Sequence, residues 1–89
     1  MIIDSHVHVF PPSFRDRREE LIRRDATFRE LYSNPKAVLA TVEDLMEAMD
    51  AAEVDAAVAV GIGWSDIELA REANDHLAEA VSRSNGRLI

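Results

Sequence analysis

The feature that most constrains the fold is a run of small apolar residues from Val54 to Ile62, broken only by Asp55 and Gly61. A near-continuous apolar run of this length is typical of a strand that is buried on both faces of a parallel sheet. Residues 42–52 before it and residues 66–84 after it repeat apolar side chains at helical spacing. A buried strand between two amphipathic helices indicates a parallel α/β fold, in which helical crossovers join the strands.

The remainder of the 89-residue chain continues this alternation. Met1 to Phe10 is rich in β-branched residues and ends at two prolines, which cannot donate to a ladder. Thr41 with Asp44, and Ser65 with Glu68, predict capped helix starts. We expect one partial domain, 1–89, with a strand over 1–10, a lid or helical insert over 13–34, a helix over 42–52, a strand over 54–62, a helix over 66–84 and the start of a third strand over 87–89.

Two architectures fit this order of elements, a doubly wound open sheet and a (β/α)8 barrel of the TIM type. The spacing of apolar residues does not distinguish between these two architectures. No glycine-rich turn follows the first strand, which excludes the usual dinucleotide-binding site. His-Val-His stands at that position instead.

His6 and His8 are the candidate metal ligands. Strand alternation places them on one face with Cα atoms about 6.6 Å apart, a distance from which two imidazoles can share a metal ion. They end the first strand, and active sites of parallel α/β folds lie at the C-terminal ends of strands. Asp4, two residues earlier, is a candidate to hydrogen-bond a ligand histidine. The alternative is that both histidines simply face water at the edge of a sheet.

Net charge and cysteine content argue against several kinds of partner and site. The net charge is −7, and residues 43–89 alone contribute −8, which argues against nucleic acid and against an anionic membrane surface. There is no cysteine, so neither disulfides nor cysteine-based zinc sites are available. The N-terminus lacks the pattern of a secretory signal, and the expected location is the cytoplasm.

The ordered set of local motifs resembles the amidohydrolase superfamily. Ile-Asp-Ser-His-Val-His resembles its first strand, whose His-x-His pair binds the metal. The rest resembles the amidohydrolase-related branch that includes aminocarboxymuconate-semialdehyde decarboxylase. The residues that carry this second likeness are Asp25 to Ser33, Leu39 to Leu45, Met49-Asp50, Val54-Asp55 and Ala73 to Asp75.

The resemblance implies the N-terminal βαβα portion of an incomplete (β/α)8 barrel. It implies a divalent metal, zinc first with manganese or iron as alternatives, and either hydrolysis of C–N or C–O bonds or non-oxidative decarboxylation. In the family the remaining ligands and the catalytic base come from later strands, so no catalytic residue is assigned here. The 89-residue chain by itself is expected to be inactive.

Two further residues are candidates for binding a small, carboxylate-bearing substrate. Trp64 follows the second strand at the same end as the histidines, although a packing role against a neighbouring helix is equally compatible with its position. Arg29 in the insert could clamp a carboxylate, or belong to a solvated charged face. His76 lies mid-helix, where a packing or surface role is expected.

Three functional hypotheses follow. The chain is part of a metal-dependent hydrolase or decarboxylase, a small metal-binding module without catalysis, or an assembly module that self-associates through open sheet edges.

Overall fold

The computed structural model describes residues 1–34 and 36–89. The mixed α/β class predicted from the sequence is confirmed, with a parallel pair of strands and five helices over these residues. In chain order the elements are β1 (Ile3–Val7), α1 (Ser13–Asp16), α2 (Arg18–Arg24), α3 (Ala26–Tyr32), α4 (Val42–Ala52), β2 (Ala56–Ala59) and α5 (Ile67–Arg83).

Segments that follow one another in the sequence lie side by side in the sheet. β1 pairs with β2 in parallel. Leu88 then forms an isolated parallel bridge with Ala57, on residues 87–89 where the start of a third strand was predicted. Consecutive strands are neighbours in a (β/α)8 barrel and also in one half of a doubly wound sheet, so this order is compatible with both architectures.

Both strands are shorter than the runs predicted over 1–10 and 54–62. Beyond β1 the backbone N–H of Phe10 donates to the carbonyl of Ala40 at 2.9 Å, so the chain turns away before the prolines. Beyond β2 the residues from Gly61 to Trp64 form the loop that leads to α5. The apolar runs extend past the ends of the strands: Val9 and Phe10 are buried beyond β1, whereas Met1 and Ile2 before it are exposed.

The insert, residues 13–34, contains three short helices. α1 and α2 meet at Arg17, and α3 follows Asp25. Phe14, Leu21 and Asp25 have no exposed surface, because the insert packs against the start of α5 and the loop before it. Apart from Asp25, the charged side chains of the insert are exposed or half-buried.

Two hydrophobic clusters hold the chain together. The first, which we call the insert core, contains Phe10, Phe14, Leu21, Phe28, Leu39, Leu69 and Ala73. The second, the sheet core, contains Met49, Ala57 and Leu88, with half-buried side chains of α4 and α5 around them. α5 contributes to both clusters and therefore joins the insert to the sheet.

The starts of α4 and α5 show how local sequence sets the helix ends. Thr41 and Asp44 form the predicted capping box. α5 is capped by Asp66, whose side chain accepts from the N–H of Leu69, and not by Ser65. The hydroxyl of Ser65 instead accepts from the N–H of Ala26 in the insert. Across the described residues, no helix combines the length and apolar character needed to cross a membrane.

Candidate metal centre

A β-bulge lies next to the histidine pair. Asp4 pairs with Ala57 and Val7 with Ala59, so β1 advances three residues where β2 advances two. The extra residue interrupts strict alternation between Asp4 and Val7. Oδ1 of Asp4 accepts a hydrogen bond from the backbone N–H of His6 at 3.2 Å. The Asp4 carboxylate therefore satisfies an amide beside the bulge.

The two imidazoles converge at their Nε2 atoms, which lie 3.1 Å apart. Their ring centroids are separated by 4.7 Å and the ring planes are nearly perpendicular, at 88°. His6 is exposed and His8 is half-buried. The pair is therefore open to solvent on the side where the two nitrogen atoms meet.

The carbonyl of Val60, at the end of β2, fixes the tautomer of His8. Nδ1 of His8 lies 3.0 Å from this oxygen, and a carbonyl can only accept, so Nδ1 carries the proton. In the neutral imidazole, Nε2 of His8 then has a free lone pair. Nε2–H of His6 donates to it in the metal-free chain. A backbone carbonyl on the remote nitrogen of a ligand histidine is a common arrangement in metal sites.

The geometry of the two imidazoles is compatible with binding one divalent ion. Two nitrogens bound tetrahedrally to one zinc at about 2.0–2.1 Å are separated by roughly 3.3 Å, close to the 3.1 Å between these Nε2 atoms. Nε2 of His8 is unprotonated, and to bind the same ion His6 would carry its proton on Nδ1 and both lone pairs would turn from the N···N line toward the ion. No third His, Cys, Asp or Glu joins the pair within residues 1–34 and 36–89. The pair alone is half of a tetrahedral ligand set.

The structure places Asp4 on the backbone of His6 and not on its imidazole. Asp4 can therefore influence the histidine pair only through the backbone N–H of His6. A hydrogen bond from an imidazole N–H to the Asp4 carboxylate, as the sequence suggested, is not among the contacts of the described residues.

Trp64 lies within a group of aromatic rings. Its indole stacks on Phe28 with centroids 5.6 Å apart and planes at 11°, and it meets Phe10 and Phe14 edge to face. The side chain is half-buried against the insert core. These contacts describe a packing role, and the part of Trp64 in substrate binding stays a prediction.

Arg29 is engaged with the end of α2. Its Nε donates to the carbonyl of Ile22 at 2.9 Å, and its Nη2 to the carbonyl of Arg23 at 3.3 Å. A cation at a helix C-terminus is favourable both for hydrogen bonding and for the helix dipole. To clamp a carboxylate, Arg29 would use the exposed edge of the guanidinium that these bonds leave free, and this role also stays a prediction.

His76 lies apart from the pair, as its mid-helix position predicted. It lines a cavity of about 410 Å³ between α4 and α5, together with apolar side chains that include Val42, Met46 and Ala80. Its Nδ1 is buried without a hydrogen-bond partner in the part of the chain that the structure describes.

Asp25 is the important residue that the sequence analysis missed. One oxygen accepts from the N–H of Phe28 at 2.9 Å, and the other accepts from Ser65 and Asp66, both at 2.8 Å. Burial alone would raise the pKa of this carboxyl, but the donated N–H groups outweigh burial and lower it. An acidic residue directly before a helix is an N-cap signal that could have revealed the bond to Phe28. No local signal could have revealed the other two.

Three ion pairs reinforce this junction between the insert and α5. Arg17 contacts Glu72 at 2.7 Å, and Arg24 contacts both Asp66 and Glu68 at 3.3 Å. Arg17 and Arg24 also share Glu20, and hydrogen bonds from their guanidinium groups lower the pKa of Glu20 to about 2. The basic insert is thus placed on the acidic start of α5, beside the loop that follows Val60.

Comparison with known proteins leaves the family open: no protein-family model, no curated protein and no solved structure matches this chain.

Proposed function

We propose that this chain is the N-terminal part of a metal-dependent enzyme of the amidohydrolase superfamily, built on a (β/α)8 barrel. The observation that carries the proposal is the pair of Nε2 atoms of His6 and His8, 3.1 Å apart at the C-terminal end of the first strand. Supporting it are the parallel strand order and the Val60 carbonyl, which holds His8 in the tautomer that a metal ion requires.

In this proposal His6 and His8 are two ligands of a divalent ion, zinc first and manganese or iron as alternatives. The Val60 carbonyl orients His8, and Asp4 orients His6 through its amide. The bound ion would supply Lewis-acid chemistry, which either lowers the pKa of water for hydrolysis or orients a carboxylate that leaves as carbon dioxide. The further ligands and the base that such chemistry needs are not assigned to this chain.

The proposed substrate is a small molecule, carboxylate-bearing in the decarboxylase version. Arg29 and Trp64 are its proposed contacts, the first by pairing with the carboxylate and the second by lining the entrance. No role for nucleic acid or a membrane is proposed, and the cytoplasmic location stays a prediction.

One observation favours a second candidate, a small metal-binding module without catalysis. The described residues bring only two ligand side chains together, and an enzyme of this kind needs at least three protein ligands or their equivalent. Both candidate functions use His6 and His8 as metal ligands. They differ in which groups supply the remaining ligands.

The metal site can be tested by titrating the chain with Zn²⁺ in a calorimeter. We expect His6→Ala and His8→Ala to lose binding, while His76→Ala, the third histidine of the chain, binds as the wild type does. Loss of a proton from Nε2 of His6 should also appear in ¹⁵N spectra of the imidazoles. Equal zinc binding by all three variants would refute the proposed ligands.

The enzyme assignment is tested separately, by reading the coding DNA downstream of Ile89. We expect in-frame strand–helix units with His and Asp at strand ends. A stop codon directly after Ile89 would contradict this assignment and favour the binding module. Metal-dependent turnover by the 89-residue chain, abolished by His6→Ala, would contradict the expectation that the chain alone is inactive.

A further inference from the structure

We propose that Asp25 and Phe28, both in the insert, are positioning residues for the histidine pair. They hold the segment after β2 so that the carbonyl of Val60 stays on Nδ1 of His8. The inference rests on the proposed metal site and concerns what keeps one of its ligands in the required tautomer. The hydrogen bonds and ring contacts described for the pair involve neither Asp25 nor Phe28, so both act through other residues.

The first step is what directs the Val60 carbonyl. Nδ1 of His8 and this oxygen are 3.0 Å apart, although the two residues are 52 positions apart in the sequence. The sheet holds the other side of Val60, because its N–H donates to the carbonyl of Val7 at 3.0 Å. The Val60 carbonyl, however, belongs to the planar peptide unit shared with Gly61. Its direction therefore depends on the path of the chain after β2.

The second step is the loop that follows Val60. It contains Gly61 and Gly63, and Gly63 has a φ of +80°, so the backbone here has more conformational freedom than usual. Ile62 and Trp64 pack against the insert core. A loop with two glycines keeps the Val60 carbonyl in one direction only where its apolar side chains and its far end are held.

The third step is that Asp25 holds the far end of this loop. Its carboxylate has no exposed surface, and one oxygen accepts from the N–H groups of Ser65 and Asp66, both at 2.8 Å. The other oxygen accepts from the N–H of Phe28 in α3. One side chain therefore ties the end of the loop to the helix that carries Phe28.

The fourth step is that Phe28 contacts the segments that leave both partners of the hydrogen bond. The indole of Trp64 stacks on Phe28 at 5.6 Å, and the ring of Phe10 meets it edge to face at 6.3 Å. Phe10 is 3% exposed and follows His8 by two positions, while Trp64 follows Val60 by four. Phe28 thus packs against the chain after each strand and fixes how far apart these two segments lie.

The test compares Asp25→Asn and Phe28→Leu with the control Met49→Ala, at a temperature where circular dichroism shows each variant folded. Met49 is 3% exposed in the sheet core, so its replacement also removes buried packing but leaves the insert core unchanged. In ¹⁵N spectra of the metal-free chain, recorded under mildly alkaline conditions, wild type and Met49→Ala should show the His8 proton on Nδ1 alone. The two insert variants should show a mixture of tautomers. They should also bind Zn²⁺ roughly tenfold more weakly in a calorimeter, the lower end of what losing the partner of a ligand histidine costs.

The wild type supplies a second measurement if an insert variant does not fold. Coupling between two sites is reciprocal, so Zn²⁺ should slow hydrogen exchange of the Ser65 and Asp66 amides that Asp25 holds. The amide of Val54, which precedes β2 and donates to the carbonyl of Met49, is the internal control and should be slowed less. Equal slowing of all three amides would contradict the coupling.

The outcomes separate this inference from the proposed function. An unchanged His8 tautomer and unchanged zinc affinity in both insert variants overturn the positioning role and leave the histidine ligands standing. An equal loss in Met49→Ala shows a general effect of lower stability and also overturns it. No zinc bound by the wild type overturns the metal site. The His8 tautomer of the insert variants then decides the positioning role, which a mixture supports and a proton on Nδ1 alone overturns.

Discussion

At the scale of single residues, backbone groups arrange the candidate site as much as side chains do. The Val60 carbonyl selects the tautomer of His8, and the amide of His6 is held by Asp4. Asp25 is a case in which a side chain arranges the backbone, since its one carboxylate orders three amides from two distant parts of the chain. Charged side chains here act mainly on the peptide groups around them.

Replacing Asp4 tests its action on the His6 amide. Asp4→Ala and Asp4→Asn both remove the negative charge, but only asparagine keeps an oxygen that can accept from this N–H. We expect zinc to bind Asp4→Ala about three- to tenfold more weakly than Asp4→Asn, the equivalent of one exposed hydrogen bond of about 1 kcal/mol. Calorimetric titration of the two variants measures this ratio. Equal affinities would contradict a contribution of this hydrogen bond to zinc binding.

Replacing Asp25 by asparagine should lower the free energy of unfolding by about 2–3 kcal/mol, because it removes charge-assisted hydrogen bonds in a buried position. Urea unfolding, followed by the fluorescence of the single tryptophan, Trp64, measures the change. Asp75→Asn on the exposed face of α5 is the control and should have little effect.

Comparing wild type with Asp25→Asn also isolates the contribution of Asp25 to the pH dependence of the unfolding free energy. The pKa of Asp25 is lowered in the folded chain, so its stabilisation is fully present above the unfolded carboxyl pKa of about 3.9. It is lost as the pH falls through the lowered folded pKa. The difference in unfolding free energy between wild type and Asp25→Asn should therefore be constant near neutral pH and shrink in this acidic range. A difference that stays constant down to low pH would contradict this role.

At the scale of elements, the insert is the part that its sequence describes least well. Its charged residues predicted helix, and helices are present, but the pattern hid the apolar residues that anchor them, such as Leu21. By contrast, α4 was predicted over 42–52 and spans Val42–Ala52, because its cap and its apolar face are both local signals. α5 was predicted over 66–84 and spans Ile67–Arg83, but its cap is Asp66 and not the predicted Ser65.

The insert core can be tested within α3. Phe28 has no exposed surface and stacks on Trp64, whereas Leu31 on the same helix is 54% exposed. We expect Phe28→Ala to cost about 3–5 kcal/mol and Leu31→Ala less than about 1 kcal/mol. Phe28→Leu, with a smaller loss, extends the series if Phe28→Ala does not fold. Urea unfolding measures all three, and equal costs for Phe28→Ala and Leu31→Ala would refute the packing described for the insert.

At the scale of the whole molecule, two hydrophobic cores share one helix, α5, and the sheet core extends to Leu88, which bridges to Ala57. Leu88 is 2% exposed in that core, while its neighbour Ile89 is 59% exposed. We expect Leu88→Ala to cost about 2–5 kcal/mol and Ile89→Ala to cost little. Thermal or urea unfolding of the two variants measures this. A small cost at Leu88 would mean that the segment bridged to Ala57 does not contribute to the sheet core.

The sequence was enough to predict the α/β class, the parallel sheet and the neighbouring positions of His6 and His8, because apolar runs and strand alternation are local patterns. It could not predict the bulge beside His6, which depends on how two strands 50 residues apart pair. Nor could it predict the Val60 carbonyl as a partner of His8, because any residue type supplies a carbonyl. The Asp25 contacts with Ser65 and Asp66 were hidden for the same reason, since sequence patterns do not report contacts between distant backbone groups.

Asp25 also constrains the order in which the chain folds. It starts α3, and it accepts amides that lie 40 and 41 residues further along the chain. Those contacts form only after β2 and its following loop have closed back on the insert, which costs loop entropy before any bond is gained. Burying the carboxylate without these amides would be unfavourable. The insert should therefore become ordered together with the start of α5, in a late step of folding, and not as a lid that folds by itself and docks afterwards.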